Sequence, residues 1–143
     1  MPIRLKRVYE KPSPSDGTRV LVDRLWPRGV TKRAAALHSW LKDLGPSHAL
    51  RRWFHARPRQ WQMFRKRYLE ELRQPEAEQA LEELYELAAR RRPLTLVFSA
   101  RNTEQNNAAV LKQLLEGMRK PPSSSGAAAA ASVRGRARAS RRS

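Results

Sequence analysis

The chain contains no cysteine. This excludes disulfides, a thiol nucleophile and any cysteine-ligated metal or iron–sulfur cluster, and it accords with a reducing compartment. Histidine is nearly as scarce. His38, His48 and His55 form neither a His-x-x-x-His nor a His-Glu-x-x-His arrangement, so no metal site is expected of them. A Walker phosphate loop and a Gly-x-Gly-x-x-Gly turn are also missing, and no nucleotide or dinucleotide cofactor is expected. No apolar run approaches the roughly 18 to 20 residues of a membrane span. The opening Met1-Pro2-Ile3-Arg4-Leu5-Lys6 lacks the apolar stretch of a signal peptide. The expectation is a cytoplasmic protein with no membrane partner.

Positive charge, by contrast, is abundant. Thirty Lys and Arg stand against 13 Asp and Glu in 143 residues, a formal net charge of +17. Such a field attracts polyanions. Arg134, Arg136, Arg138, Arg141 and Arg142 are the only charges in residues 121–143, and subtracting those five leaves +12 on residues 1–120. Composition changes abruptly after Lys120, where Pro121-Pro122-Ser123-Ser124-Ser125-Gly126 leads into the alanine run 127–131. That stretch lacks the apolar area needed to offset the entropy of ordering it. It reads as a disordered Arg/Ala/Ser-rich basic tail, 121–143, behind a single domain, 1–120. The tail is either a basic arm for nucleic acid or low-complexity sequence without a role, and it offers no aromatic ring for base stacking.

Within the domain, hydrophobic periodicity marks the elements. Ile3–Val8 and Thr18–Asp23 are short and rich in β-branched residues, and Pro12-Ser13-Pro14-Ser15-Asp16-Gly17 between them is loop chemistry. Thr31 can cap a helix in which Leu37, Trp40, Leu41 and Leu44 share a face, ended by Gly45-Pro46. Ser47 can cap a short helix reaching Trp53-Phe54. Pro58 suits the first turn of another, with Trp61, Phe64, Tyr68 and Leu72 inward and Arg59, Lys66 and Arg73 outward. Residues 76–92 read as a helix with glutamates first and Arg90-Arg91-Arg92 last, complementing the helix dipole. Leu94–Phe98 is unbroken and apolar, as a strand buried on both faces would be, and a helix over about residues 103–118 follows. Long helical crossovers favour parallel pairing. The fold class expected is α/β, a small, mainly parallel sheet of few strands flanked by helices in a single domain.

Arg7-Val8-Tyr9, the Pro-Ser-Pro loop, Asp23-Arg24-Leu25-Trp26-Pro27-Arg28-Gly29, Trp40-Leu41-Lys42-Asp43-Leu44, Leu50-Arg51-Arg52-Trp53-Phe54, Tyr68-Leu69-Glu70-Glu71-Leu72 and Asn106-Asn107-Ala108 resemble the YeaO-like family, within a larger group of bacterial domains of unknown function. The resemblance spans roughly residues 3–116 and implies a compact α/β domain; no reaction comes with it. Typical relatives resemble Ala-Lys-Asp-x-Glu-His-Asn-His-Ala where this chain has Ala100-Arg101-Asn102-Thr103-Glu104-Gln105-Asn106-Asn107-Ala108, so both histidines are replaced. More distant relatives place a cysteine near Ser99 and a Cys-His-Arg run near the following helix, and this chain has neither. Chemistry that depends on histidine or thiol is lost here, whereas chemistry that depends on arginine, aspartate and asparagine can persist.

Candidate site residues lie in two loops that follow strands. In open α/β sheets ligands collect beyond the strands' carboxyl ends. Asp23 is placed to act as a base or metal ligand, or else to pair with a neighbouring arginine and lock its loop. Arg24 and Arg28 present forked donors suited to carboxylate or phosphate. Trp26, with Pro27, is either an apolar wall for a ligand or core, and Gly29 suits a turn requiring positive φ. In the second loop Ser99 is a candidate nucleophile, though no Gly-x-Ser-x-Gly elbow surrounds it. Arg101 is a candidate anion ligand beside a helix start, or a surface salt bridge. Asn106 and Asn107 are placed to hold the loop or touch a ligand. The leading expectation is a small anionic ligand at these loops, with no reaction assigned. The alternative is a nucleic-acid-binding module acting through Arg51, Arg52, Arg57, Arg59, Arg65, Lys66 and Arg67 together with the tail; no helix-turn-helix, zinc finger or RNP string accompanies them.

Overall fold

Side chains alternate across a strand, and β4 (Leu94–Phe98) shows how this chain uses that fact. All five residues are buried, with Leu94, Leu96 and Phe98 in the larger core and Val97 in a smaller one on the opposite face. The computed structural model describes residues 3–117. The basic segment 121–143 lies outside the described residues. β4 sits between β1 (Ile3–Arg7) and β2 (Thr18–Leu21), and β3 (Ser39–Trp40) completes a four-stranded sheet in the order β1-β4-β2-β3. Every pairing is parallel, with Leu5 opposite Leu96 and Val20 opposite both Leu96 and Ser39. The architecture is the expected single-domain α/β fold, with a fully parallel sheet.

The helices are α1 (Lys32–Ala35), α2 (His48–Ala56), α3 (Trp61–Leu72), α4 (Pro75–Ala88) and α5 (Asn107–Gly117), with 3-10 turns at Pro14–Asp16 and Lys42–Leu44. Residues from α2 to α5 pack with Val20, Val22, Leu94, Leu96 and Phe98 in the larger core. The opposite face is covered thinly by Val8, Leu21, Ala35 and Val97, with Trp26, Val30, Leu37 and Trp40 against them. A buried ion pair stands on this thinner face: Arg19 Nη1 donates to Asp16 Oδ2 at 2.8 Å, and Lys6 reaches the same carboxylate at 3.1 Å. Burial pushes the Asp16 carboxyl up, but hydrogen bonds from the Ser13 N–H, Lys6 and Arg19 outweigh it and hold the group below its ordinary range.

Four sequence expectations need correction. The helix expected from Thr31 to Leu44 stops after four residues. Thr31 caps it as expected, but Ala36 turns into the left-handed region at φ 49° and Arg19 takes the Ala35 carbonyl with two donors. The chain then joins the free edge of β2, where the His38 N–H donates to Arg19 O and the Leu41 N–H to Leu21 O. Leu37 and Trp40 therefore face the smaller core while Leu41 and Leu44 face the larger, so a helical spacing arose from residues on two sides of a sheet. Pro58 lies outside the next helix, in a turn closed by the Gln60 N–H on Arg57 O, and Arg59 sits in that turn. α4 ends at Ala88, short of Arg90-Arg91-Arg92. α5 begins at Asn107 because Asn102 Oδ1 accepts from the Glu104 and Gln105 N–H groups, folding residues 102–105 into a side-chain-mediated turn. The cap predicted at Ser47 is present, its Oγ accepting from the Leu50 N–H.

Candidate functional site

Parallel pairing places the carboxyl ends of all four strands on one edge of the sheet. The segments that leave this edge are Arg7–Tyr9, Asp23–Arg28, Trp40–Lys42 and Ser99–Arg101. Both loops singled out from the sequence therefore meet. At their junction Asp23 Oδ2 accepts from the Ser99 N–H at 2.9 Å and the Ser99 hydroxyl at 2.7 Å. Its other oxygen accepts from Asn107 Nδ2 at 3.1 Å, and the same amide nitrogen donates to Val22 O at 3.0 Å. Asp23, Ser99 and Asn107 thus form one lattice joining β2, β4 and α5. The pairing with an arginine, one of the two readings of Asp23, is not made: among the described residues Asp23 forms no ion pair.

The remaining candidates divide. Arg24 turns its guanidinium onto Gly45 O at 2.8 Å and Pro46 O at 3.2 Å. Gly45 is required beneath it, since a Cβ there would stand 2.2 Å from the Arg24 backbone nitrogen. Trp26 donates to Val30 O and meets Trp40 edge to face with ring centroids 5.4 Å apart, while Trp40 donates to Asp23 O at 2.7 Å. Both rings close the smaller core. Gly29 has the anticipated positive φ, 78°. Asn106 is buried; its Oδ1 accepts from the Ala109 N–H in the manner of a helix cap, and its Nδ2 donates to Asn102 O. Arg28 and Arg101 are exposed, and their guanidinium groups meet no acid and no hydrogen-bond partner among the described residues.

A chain of contacts links those two free arginines. The Tyr9 hydroxyl donates to Arg28 O at 3.0 Å, and the Arg7 guanidinium lies 5.0 Å from the Tyr9 ring centroid. Arg7 in turn donates to Ala100 O at 2.9 Å and Ser99 O at 3.1 Å, and Arg101 follows directly. The edge is therefore tied together by contacts within the chain itself, with cations at its rim.

Beneath the edge lies a second polar layer. Tyr68 is fully buried and donates to Leu44 O. Burial pushes its phenol well above the ordinary range, with the Asp23 and Glu71 carboxylates adding to that rise, so it stands as a fixed neutral donor. Glu71 accepts from the Ser47 N–H at 2.9 Å and the Ser47 hydroxyl at 2.6 Å, tying α3 to the start of α2.

The match to a family model decides what this arrangement belongs to. Residues 2–133 fit the model described as the inactive DUF488-N3 subclade. The chain belongs to that family. It is 47% identical over 119 residues to the uncharacterized protein YeaO of Escherichia coli (strain K12), covering 82% of this chain and 100% of the relative. It is 44% identical over 115 residues to the uncharacterized protein Rv3073c of Mycobacterium tuberculosis (strain ATCC 25618 / H37Rv), covering 80% and 94%. No solved structure matches it. The YeaO-like resemblance is confirmed, and the match runs past Lys120.

Arg7, Tyr9 and Glu71 have no role assigned from the sequence, and Tyr68 is expected only as an inward-facing helix residue. The strings Arg7-Val8-Tyr9 and Tyr68-Leu69-Glu70-Glu71-Leu72 carried part of the family resemblance, which was a usable signal. What they lacked was a partner within reach along the chain. Arg7 meets Ser99 and Ala100 more than ninety residues away.

Proposed function

We propose that this protein is a non-catalytic binding module that takes a small anion, phosphate or carboxylate, at the carboxyl edge of its sheet through Arg28 and Arg101. The observation that carries the reading is the contrast at that edge. Asp23, Ser99 and Asn107 are engaged with one another, and Arg7 and Arg24 are committed to backbone carbonyls, whereas Arg28 and Arg101 on neighbouring loops stand exposed with no acidic partner among the described residues. Arginine's planar fork matches carboxylate and phosphate oxygens in pairs.

In this reading Asp23 and Ser99 are latch residues and not base and nucleophile. A serine whose proton is held by a carboxylate, with no histidine or lysine to relay it, lacks the usual means of activation. The family's description as inactive supports the same reading. Asn107 orients Asp23, and Trp26 holds the loop that presents Arg28.

The test is thermal unfolding of the full chain with inorganic phosphate, phosphorylated metabolites and dicarboxylates, beside Arg28→Ala/Arg101→Ala. A ligand that binds the folded state at about a hundred times its Kd stabilises it by about 2.7 kcal/mol. The expected result is a rise in Tm with at least one of these anions that the double variant, folded as the parent is, does not show. An equal rise in both proteins would overturn the site.

A further inference from the structure

A second surface stands apart from the loop arginines. Arg51 and Arg52 on α2, Arg57 and Arg59 in the turn after it, and Lys66 and Arg67 on α3 are all exposed. None of the six forms an ion pair among the described residues. Residues 48–73 contain eight Lys and Arg against two acids, Glu70 and Glu71. Glu71 is occupied by Ser47, which leaves Glu70 as the one exposed carboxylate within residues 48–73. Two of the cations are held in place: the Arg67 guanidinium lies 4.4 Å and that of Arg57 5.6 Å from the Trp53 ring centroid. Such contacts orient a guanidinium without neutralising it, and its N–H groups remain available.

From these observations we infer that the α2–α3 face binds nucleic acid through its phosphate backbone, with little preference for sequence. An extended polyanion is the partner that suits this face, because the six cations are spread over two helices and the turn between them. An anionic membrane would call for apolar residues to insert. Here Met63 is the one large apolar side chain of α2 and α3 that is exposed, while Phe54 and Trp61 pack against the core. An acidic protein would call for an aromatic or apolar interface centre, which the same six cations do not provide. Trp53 is half-buried and covered by two guanidinium groups, so it is not an open platform for a base. Contact with phosphate rather than base follows, and the surface is independent of the loop site proposed above.

The test measures fluorescence anisotropy of a labelled single-stranded RNA of mixed sequence with the full chain, as a function of salt. Three variants accompany the parent: R51Q/R52Q/K66Q/R67Q on the face, R51K/R52K/R67K preserving its charge, and R134Q/R136Q/R138Q/R141Q/R142Q in the C-terminal segment. Each cation that meets a phosphate contributes about 0.7 to the slope of log K against log salt for single strands, so the glutamine variant should lose up to about 3. Its affinity at moderate salt should fall about tenfold or more, while the lysine variant keeps the parental slope. If the glutamine variant does not fold, Arg51→Gln and Lys66→Gln singly should each lower the slope by about 0.7. The inference is overturned if the face variants bind as the parent does, if the C-terminal variant alone abolishes binding, or if polyglutamate or anionic vesicles compete as well as RNA.

Discussion

Asp23→Asn separates a latch from a working carboxylate. The change is isosteric, so it alters hydrogen-bond polarity and little else. In one amide orientation the new oxygen keeps the two Ser99 donors, now as neutral bonds, and the new NH2 group faces Asn107 Nδ2, donor against donor. Asn107 cannot turn to accept, because its Nδ2 also donates to Val22 O and rotation would set oxygen against oxygen. In the other orientation the NH2 group faces the Ser99 N–H. Either way one bond is lost, at about 1 kcal/mol, and the remaining bonds drop from charge-assisted to neutral strength. Water reaches the half-exposed carboxylate, so the expected total is about 2 kcal/mol. Urea unfolding of the full chain, followed by tryptophan fluorescence, reads this directly, since the Trp40 indole donates to the Asp23 carbonyl. With a slope of about 1–3 kcal/mol per molar urea, the midpoint should fall by about 1 M. Ser99→Ala should cost less, and the double variant should cost less than the two singles combined, because both remove the same bonds. A loss under about 0.5 kcal/mol, with the anion response abolished, would refute the latch and return Asp23 to the binding chemistry.

Three further predictions concern the thinner face of the sheet and the turn that ends α1. Arg19→Met removes one side of the buried pair with Asp16 and strips the Ala35 carbonyl of both its donors, so a loss of about 3–5 kcal/mol is expected in the same urea measurement; a loss under about 1 kcal/mol would show that the pair is not what holds this face. The folded-state pKa of Asp16 is depressed, so its contribution is complete above the ordinary value of 3.8 and is lost as pH falls below that value toward the folded one. Asp16→Asn should flatten that part of the acid-unfolding profile, and an unchanged profile would count against the assignment. Ala36→Gly relieves a left-handed backbone at φ 49° and should stabilise the protein by about 0.5–1 kcal/mol, a gain that calorimetry would detect and whose absence would show the turn to be unstrained.

Strand positions were legible because alternation and β-branched content are local properties. Val20 to Val22 and Leu94 to Phe98 carry them without help from distant residues. β3 was not legible, since two residues have no periodicity of their own and Ser39–Trp40 is a strand only because the edge of β2 is free and Arg19 ends α1 at Ala35. The site was legible in the same partial sense. That loops 23–29 and 99–107 meet follows from parallel topology, which long crossovers predict. Which residue Asp23 would take was not readable, because Arg24 and Arg28 are near in sequence while Ser99 and Asn107 are near only in space. Arg24 has the chemistry of a ligand arginine, but Gly45 and Pro46, also distant in sequence, present two carbonyls to it.

The residue at position 107 links this lattice to the non-catalytic reading proposed above. The family resemblance puts histidine there in typical relatives, beside the carboxylate that in this chain is Asp23. An imidazole in that place can take and return a proton near neutral pH, and a carboxylate at its other nitrogen is the usual way of orienting it. Asparagine keeps the donor function and discards the proton. Its one nitrogen serves two acceptors, Val22 O at 3.0 Å and Asp23 Oδ1 at 3.1 Å, which a single ring N–H could not satisfy as well. The substitution therefore exchanges acid–base capacity for a firmer tie between β2 and α5, while Arg28 and Arg101 at the rim are untouched by it. Under the binding reading proposed above, a site with asparagine at 107 and exposed arginines at 28 and 101 would hold an anion without a histidine to carry a proton.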